Sequence, residues 1–238
     1  AEDIANNEAI LADASEADVL PEILIDGTPV TPPSLDDCYR VDPEHPLGAD
    51  LPADSVLTTL LTVSATTGEI VRSACVMEPL GGVYVSNDRI ALTYVRWDAV
   101  SEMTLVHLLD RETYEYLGSE LVAGALYSGG NNDFRISEFD GVLRMVTTEW
   151  TGNPEDQLKH RLMTLQPEAD APELEVLAVL GEDESARIGK VNEDLYGVRF
   201  MGSRAYLVTF ERIDPLYVVD LSDPTAPEIV GELEVPGF

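Results

Sequence analysis

The stretch that decides the fold is YGVRFMGSRAYLVTFERIDPLYVVDLSDPTAPEIVGELEVPGF, residues 196–238. It contains four short runs that are rich in Val, Tyr, Phe and Leu: 198–201, 205–209, 216–219 and 228–235. Turn-forming residues separate them: GS at 202–203, DP at 214–215 and SDP at 222–224. Apolar runs of this length between turn residues are typical of strands, so the stretch predicts a four-stranded antiparallel meander.

The strands of this meander differ in their pattern of apolar residues. The run 205–210 is apolar at nearly every position, which is typical of a strand that is covered on both faces. The last run, 228–235, instead carries Glu on one side and mostly apolar residues on the other. A radial stack of four-stranded sheets, a β-propeller, produces this gradient, because neighbouring sheets cover the inner strands and leave the outermost strand half exposed.

The same hairpin occurs twice more in the chain, in GGVYVSNDRIALTYVRW and FRISEFDGVLRMVTTEW. Asn87, Asp140 and Gly202 occupy the same turn position, 53 and 62 residues apart, and the runs IALTY, LRMVT and AYLVT follow the three turns. One meander in each period of this size indicates a blade array. The sequence therefore predicts an all-β protein, a β-propeller of four-stranded antiparallel blades with about three and a half blades in this chain.

The chain divides into three predicted segments. Residues 1–20 form an acidic arm or a short helix, 21–54 form a Pro-rich wrapping segment, and 55–238 form the blades. Two strands predicted at 56–63 and 69–77 are interpreted as the outer pair of a blade whose inner pair lies upstream or is missing.

Two interpretations of the half blade remain open. Strand candidates at 23–25 and 38–41 complete a small four-bladed ring, or the chain is a piece of a larger propeller, which is the interpretation we favour. An open blade edge would then expose unpaired strand surface, so self-association through that edge is a further expectation.

The composition of the chain limits the classes of molecule that it is expected to bind. The chain has 14 basic and 45 acidic residues and a net charge of −31, which disfavours nucleic acid and anionic membrane surfaces. No apolar run approaches the roughly 18 residues of a membrane span, so membrane insertion is not expected. Cys38 and Cys75 suit an oxidising compartment, where they form a disulfide, or they are two buried thiols.

Few residues are candidates for chemistry. No nucleophile motif surrounds the three histidines, so no catalytic residue is assigned. Trp97 and Trp150 follow the second strand of successive blades, where they either pack at the blade ends or form a platform for a ligand. With the polar connections 151–159 and 181–194, they define the candidate ligand-binding residues: Trp97, Trp150, Asn153, Asp156 and His160.

The sequence of residues 198–238 closely resembles that of the secreted bacterial and archaeal proteins that carry a C-terminal β-propeller domain distantly related to WD repeats. VYVSNDRIALTY and ISEFDGVLRMVTT resemble earlier blades of that domain, so the similarity covers roughly 38–238. YVVDLSDPTAPEIVGEL is also similar to the LVIVD-type repeat of other surface propellers. The resemblance implies an extracytoplasmic propeller that usually runs on past a segment like Pro-Gly-Phe at 236–238, and it assigns no activity and no catalytic residue to this chain.

These observations favour a scaffold or binding module, secreted or extracytoplasmic, that presents its loops to a protein or glycan of the cell envelope. The alternative is a hydrolase or lyase that uses acidic residues at the propeller channel. No cofactor is predicted. The GGNND segment at 129–133 offers oxygens of the kind that calcium favours but lacks the spaced Asp pattern of a calcium loop, so it is either a plain turn between blades, which we favour, or a calcium site.

Overall fold

The computed structural model describes residues 56–97, 102–126, 134–210 and 214–235, together with 22–30, 38–41 and scattered positions before residue 35. The chain forms two compact units, Ala1–Pro79 and Leu80–Phe238. Among the described residues, no helix is long and apolar enough to cross a membrane. The prediction for 1–20 falls largely outside the described residues; Ile4, Asn7 and Ile10 among them have helical backbone.

The first unit contains a short hairpin and a three-stranded sheet. The hairpin joins β1 (Ile23–Ile25) and β2 (Thr28–Val30) through Asp26 and Gly27, which both have positive φ. The sheet has the order β3-β5-β4, with β3 at Cys38–Tyr39, β4 at Thr58–Val63 and β5 at Ile70–Val76. The strand predicted at 23–25 is therefore present, and the one predicted at 38–41 is shorter, at Cys38–Tyr39, while the rest of the predicted wrapping segment lies mostly outside the described residues.

This sheet differs from the predicted half blade. The two predicted strands do pair in antiparallel fashion as β4 and β5, but β5 is the central strand, because β3 runs parallel along its other edge. All of β4 lies between β3 and β5 in sequence, which supplies the long connection that a parallel pair requires. Cys38 lies opposite Cys75 in this parallel pair, and the two sulfurs are joined in a disulfide across the sheet.

The second unit consists of three four-stranded antiparallel meanders, as the sequence predicted. The first sheet contains β6 (Gly82–Val85), β7 (Arg89–Trp97), β8 (Glu102–Asp110) and β9 (Tyr116–Ala123). The second sheet contains β10 (Ile136–Phe139), β11 (Val142–Asn153), β12 (Asp156–Pro167) and β13 (Leu174–Leu180). The third sheet contains β14 (Asp194–Met201), β15 (Arg204–Phe210), β16 (Asp214–Asp220) and β17 (Glu228–Val235).

Local chemistry fixes the turns between these strands. Asp140 and Gly141 both have positive φ, 52° and 81°, as a two-residue hairpin turn with the twist of its strands requires. At the end of β8 the Asp110 carboxylate accepts hydrogen bonds from the backbone N–H groups of Glu112 and Thr113, at 2.9 and 2.8 Å. These bonds, that from the Thr113 amide foremost, lower the pKa of Asp110. Asp220 likewise caps the turn after β16, where its carboxylate accepts the backbone N–H of Ser222 at 2.8 Å.

The core lies in the two seams between the three sheets. Met145 packs towards the first sheet, whereas its neighbour Val146 packs towards the third, and both are fully buried. Met163 and Leu162 divide in the same manner on β12. Because side chains of a strand alternate between faces, the near-continuous apolar runs of the second sheet fill both seams at once.

Candidate functional site

Two exposed tryptophans lie at the same end of the first and second sheets. Trp97 ends β7 with 66% of its surface exposed, and Trp150 on β11 is 54% exposed. Glu102 connects them, since it is the cross-strand partner of Trp97 and its carboxylate accepts the backbone N–H of Trp150 at 3.2 Å. We call the two indoles and this carboxylate the tryptophan platform. Large apolar side chains are usually buried, so two exposed indoles linked through one residue mark a candidate binding surface.

The sequence predicted a polar connection at 151–159, but β11 and β12 go on pairing up to Asn153 and Asp156, so these residues form the end of a β11–β12 hairpin beside the platform. At its tip Gly152 has φ +72°, the Asn153 side chain accepts the backbone N–H of Glu155 at 3.1 Å, and the Thr151 hydroxyl donates to the Asp156 carbonyl. Local hydrogen bonds therefore hold the tip in one conformation. Asn153 is exposed, but its side-chain oxygen already serves the turn.

The connection 181–193 holds this hairpin from the side of the third sheet. The Arg187 guanidinium donates to both carboxylate oxygens of Asp156 and to the Leu158 carbonyl, at 3.1 Å for the carbonyl. The Asn192 side chain accepts the backbone N–H of Gln157 at 2.8 Å. Hydrogen bonds from Arg187 lower the pKa of the Asp156 carboxyl. Asp156 is thus ionised and paired, with a structural role in fixing the hairpin.

A second ion-pair group lies at the base of the hairpin. Glu182 accepts hydrogen bonds from Lys159 at 2.7 Å and from Arg161, and Arg161 also contacts Glu149 at 2.6 Å. Hydrogen bonds from Lys159 and Arg161 lower the pKa of Glu182. Both cationic side chains of β12 in this region are consequently neutralised by their own neighbours.

His160 belongs to a buried hydrogen-bond chain. It is 1% exposed, its Nε2 lies 2.8 Å from the Glu193 carbonyl, and its Nδ1 lies 2.9 Å from the Thr148 hydroxyl. A carbonyl can only accept, so Nε2 carries the proton and Nδ1 accepts from Thr148. The Thr148 oxygen in turn accepts from Arg135 at 3.1 Å. Burial lowers the pKa of His160, and the ring is a neutral structural element.

The structure therefore separates the five candidate ligand-binding residues into groups. Trp97 and Trp150 meet the requirement of an exposed surface, Asn153 and Asp156 shape the adjacent hairpin, and His160 lies beneath the surface. Sequence reasoning missed Glu102, whose carboxylate accepts the backbone N–H of Trp150. No sequence feature distinguishes Glu102 from the rest of the 45 acidic residues.

Sequence reasoning also missed Arg187, which holds the β11–β12 hairpin through its ion pair with Asp156. The sequence feature that could have indicated this role is the scarcity of basic residues. In a chain with 14 basic and 45 acidic residues, each basic side chain is expected to pair with a carboxylate.

No group of three or more His, Cys, Asp or Glu side chains in the described part of the chain is arranged to hold a metal ion. The GGNND segment at 129–133, which the sequence suggested for calcium, lies outside the described residues.

Comparison with known proteins finds a matching family and relatives that are similar to part of this chain. The family described as "Beta propeller domain" matches residues 1–238. An uncharacterized protein of Methanocaldococcus jannaschii is 33% identical over 135 residues, which are 53% of this chain and 20% of that protein. An uncharacterized protein of Archaeoglobus fulgidus is 38% identical over 108 residues, 45% of this chain and 14% of that protein. The matched stretches thus span a fifth or less of these relatives.

Proposed function

Because the chain belongs to the beta propeller domain family, we propose that it is an extracytoplasmic binding module that holds a neutral or cationic glycan of the cell envelope at the tryptophan platform. The observation that carries this proposal is the pair of exposed indoles, Trp97 and Trp150, on neighbouring sheets that Glu102 links, as the cross-strand partner of Trp97 and the acceptor of the Trp150 backbone N–H. The propeller supplies the rigid scaffold on which such a surface is built.

The chemistry of the platform favours a carbohydrate. An indole presents a large apolar face that stays rigid on a strand, and the C–H face of a sugar ring can stack on it. The Glu102 carboxylate provides acceptors for sugar hydroxyl groups. The β11–β12 hairpin, fixed by Arg187, gives the platform a preformed wall, so little conformational entropy is lost on binding.

Charge and redox chemistry support the finer parts of the proposal. A net charge of −31 repels anionic ligands over distances of about a Debye length, which leaves neutral and cationic glycans. The disulfide between Cys38 and Cys75 suits an extracytoplasmic compartment. The similarity of 217–233 to LVIVD-type repeats of surface propellers points to the same location.

The test uses the intrinsic fluorescence of the protein. Trp97 and Trp150 are the two tryptophans of the chain, so selectively excited tryptophan emission reports on the platform alone. Titration with neutral, cationic and anionic oligosaccharides released from the envelope of the source cell should shift this emission for the first two classes. Trp97→Ala and Trp150→Ala should each weaken binding by about fivefold, which corresponds to the ~1 kcal/mol of one aromatic contact.

Tyr196→Ala is the matched control, because Tyr196 is an exposed aromatic residue of the third sheet and is not part of the platform. Binding that is lost equally in this control, or that persists in the Trp97→Ala/Trp150→Ala double variant when followed by calorimetry, would refute the platform. Release of shorter sugars during the titration would favour the alternative, a hydrolase or lyase.

A further inference from the structure

The two indoles of the tryptophan platform stand at the ends of different seams. On β7, Trp97 points to the same face as Ala91, which packs between the first and second sheets. On β11, Trp150 points to the same face as Val146, which packs between the second and third sheets. The indoles are therefore about one sheet spacing apart, ~10 Å. A ligand that stacks on both must carry ring faces at that separation, which an oligosaccharide of several rings provides.

The Glu102 carboxylate is fixed beside the first indole by backbone contacts. Glu102 and Trp97 are cross-strand partners, so their side chains share one face with about 5 Å between the two Cβ atoms. The Glu102 carbonyl accepts the backbone N–H of Gly124 at 2.7 Å. The next residue, Ala125, exchanges two backbone hydrogen bonds with Thr148 of the second sheet, at 2.8 and 2.9 Å. Glu102 is thus held in place where the two sheets join, before any ligand is bound.

No basic side chain in the described part of the chain forms an ion pair with Glu102. The basic side chains that hold the β11–β12 hairpin are paired with other carboxylates: Lys159 and Arg161 with Glu182, and Arg187 with Asp156. Arg96 is next to Trp97 in sequence but lies on the opposite face of β7. The half-buried Glu102 carboxylate therefore has no protein counter-ion among these bases, although it stands beside an exposed indole.

A carboxylate beside an indole favours a ligand that carries an ammonium group. The face of an indole attracts cations more strongly than the face of any other aromatic side chain. Hydrogen bonds between a carboxylate and an ammonium group are charge-assisted, and they are about twice as strong as hydrogen bonds between neutral groups. The net charge of −31 raises the concentration of cations near the surface and acts in the same direction.

From this arrangement we infer that the tryptophan platform selects an amine-bearing oligosaccharide over a neutral one, and that Glu102 is the residue that determines this selectivity. The inference rests on the proposed function, since it takes the platform as the binding surface. The ammonium group of one sugar pairs with Glu102 while the ring that bears it stacks on Trp97. Another ring of the same oligosaccharide stacks on Trp150.

A basic peptide fits the platform less well. A lysine side chain would supply an ammonium group for Glu102, but its flexible four-carbon stem offers no ring face to either indole. Ordering such stems on the platform would also cost rotamer entropy, which a sugar ring does not lose.

The test uses two tetramers of the same linkage and length, one of β-1,4-linked glucosamine and one of β-1,4-linked N-acetylglucosamine. Calorimetry at about pH 6 keeps the amines of the first tetramer protonated, whereas the second tetramer is neutral. The wild type should bind the glucosamine tetramer about fivefold more tightly, as expected for one partly exposed ion pair.

Glu102→Gln removes the charge but keeps a side-chain oxygen for the backbone N–H of Trp150. This variant should bind both tetramers equally and retain the melting temperature of the wild type. Glu228→Gln is the matched control, because it removes the same charge at an exposed position of β17 that is not part of the platform. It should keep the fivefold preference.

The outcomes separate this inference from the proposed function. Equal binding of both tetramers by the wild type, lost in the Trp97→Ala/Trp150→Ala double variant, would overturn the inference and leave the platform in place. A preference that survives Glu102→Gln, or that Glu228→Gln also removes, would overturn the role of Glu102, since the field of the whole protein would then be its source. Tighter binding of tetralysine than of the glucosamine tetramer would overturn the sugar as the ligand. Binding of neither tetramer, or binding that the double variant retains, would overturn the proposed function together with the inference.

Discussion

His107 makes the stability of the second unit depend on pH. The imidazole lies on β8 with no exposed surface, and its Nδ1 is 2.8 Å from the Tyr116 hydroxyl. Its Nε2 has no hydrogen-bond partner in the described part of the chain. Burial lowers the pKa of His107 from 6.5 to about 4, because the charged ring would lose its hydration.

The direction of the pH effect follows from the protonation of His107 in the unfolded and in the folded chain. Below pH 6.5 the unfolded chain binds a proton at His107, whereas the folded chain stays neutral down to about pH 4. The free energy of unfolding contributed by this residue therefore falls as the pH is lowered through this window. The pKa difference corresponds to about 3 kcal/mol at its limit, of which about 2 kcal/mol is lost between pH 7 and pH 5.

The assay compares urea unfolding of the wild type with that of His107→Leu at pH 7 and pH 5, followed by tryptophan emission. The leucine carries no proton and matches the apolar residues Leu105 and Leu109 on the same side of β8. Carboxylates and His160, whose pKa burial also lowers, titrate in both proteins and cancel in the difference. The wild type should lose about 2 kcal/mol more than the variant between the two pH values. Equal losses in the two proteins would refute the reasoning.

Two further predictions concern the backbone. Replacing Cys38 and Cys75 by Ser should lower the stability of the first unit by about 4 kcal/mol, since the disulfide closes a loop with a sequence separation of 37, and thermal unfolding with and without reductant measures this. Gly181→Ala should lower the melting temperature more than Gly152→Ala. Both glycines have positive φ, but a Cβ at 181 would lie 2.2 Å from the His160 carbonyl oxygen, whereas a Cβ at 152 meets nothing within 4 Å. Equal melting temperatures for the two variants would contradict this expectation.

The fold of the second unit was largely predictable because each blade is specified locally. The three hairpin turns and the apolar runs on the second strands each predict the same meander. The first unit was harder, because a parallel pair such as β3 with β5 joins residues that are distant in sequence. No local pattern indicates that Cys38 lies opposite Cys75.

The candidate site was predictable only in part. The repeat placed Trp97 and Trp150 at matching ends of two blades, since their spacing from the turn is a property of the sequence. Exposure is a property of the packed structure, and it separated these indoles from His160, which the sequence had grouped with them. The same holds for Glu102, which became part of the platform through a contact between two sheets.

The sequence by itself determined which runs form strands and where the first turn of each meander lies, because turn chemistry and side-chain alternation act over a few residues. The tertiary structure alone decided which faces of those strands are covered, which acids and bases pair, and which aromatic side chains remain exposed. These properties depend on the distance between chain segments that are tens of residues apart, such as Arg187 and Asp156, and the packing of one sheet on the next sets that distance.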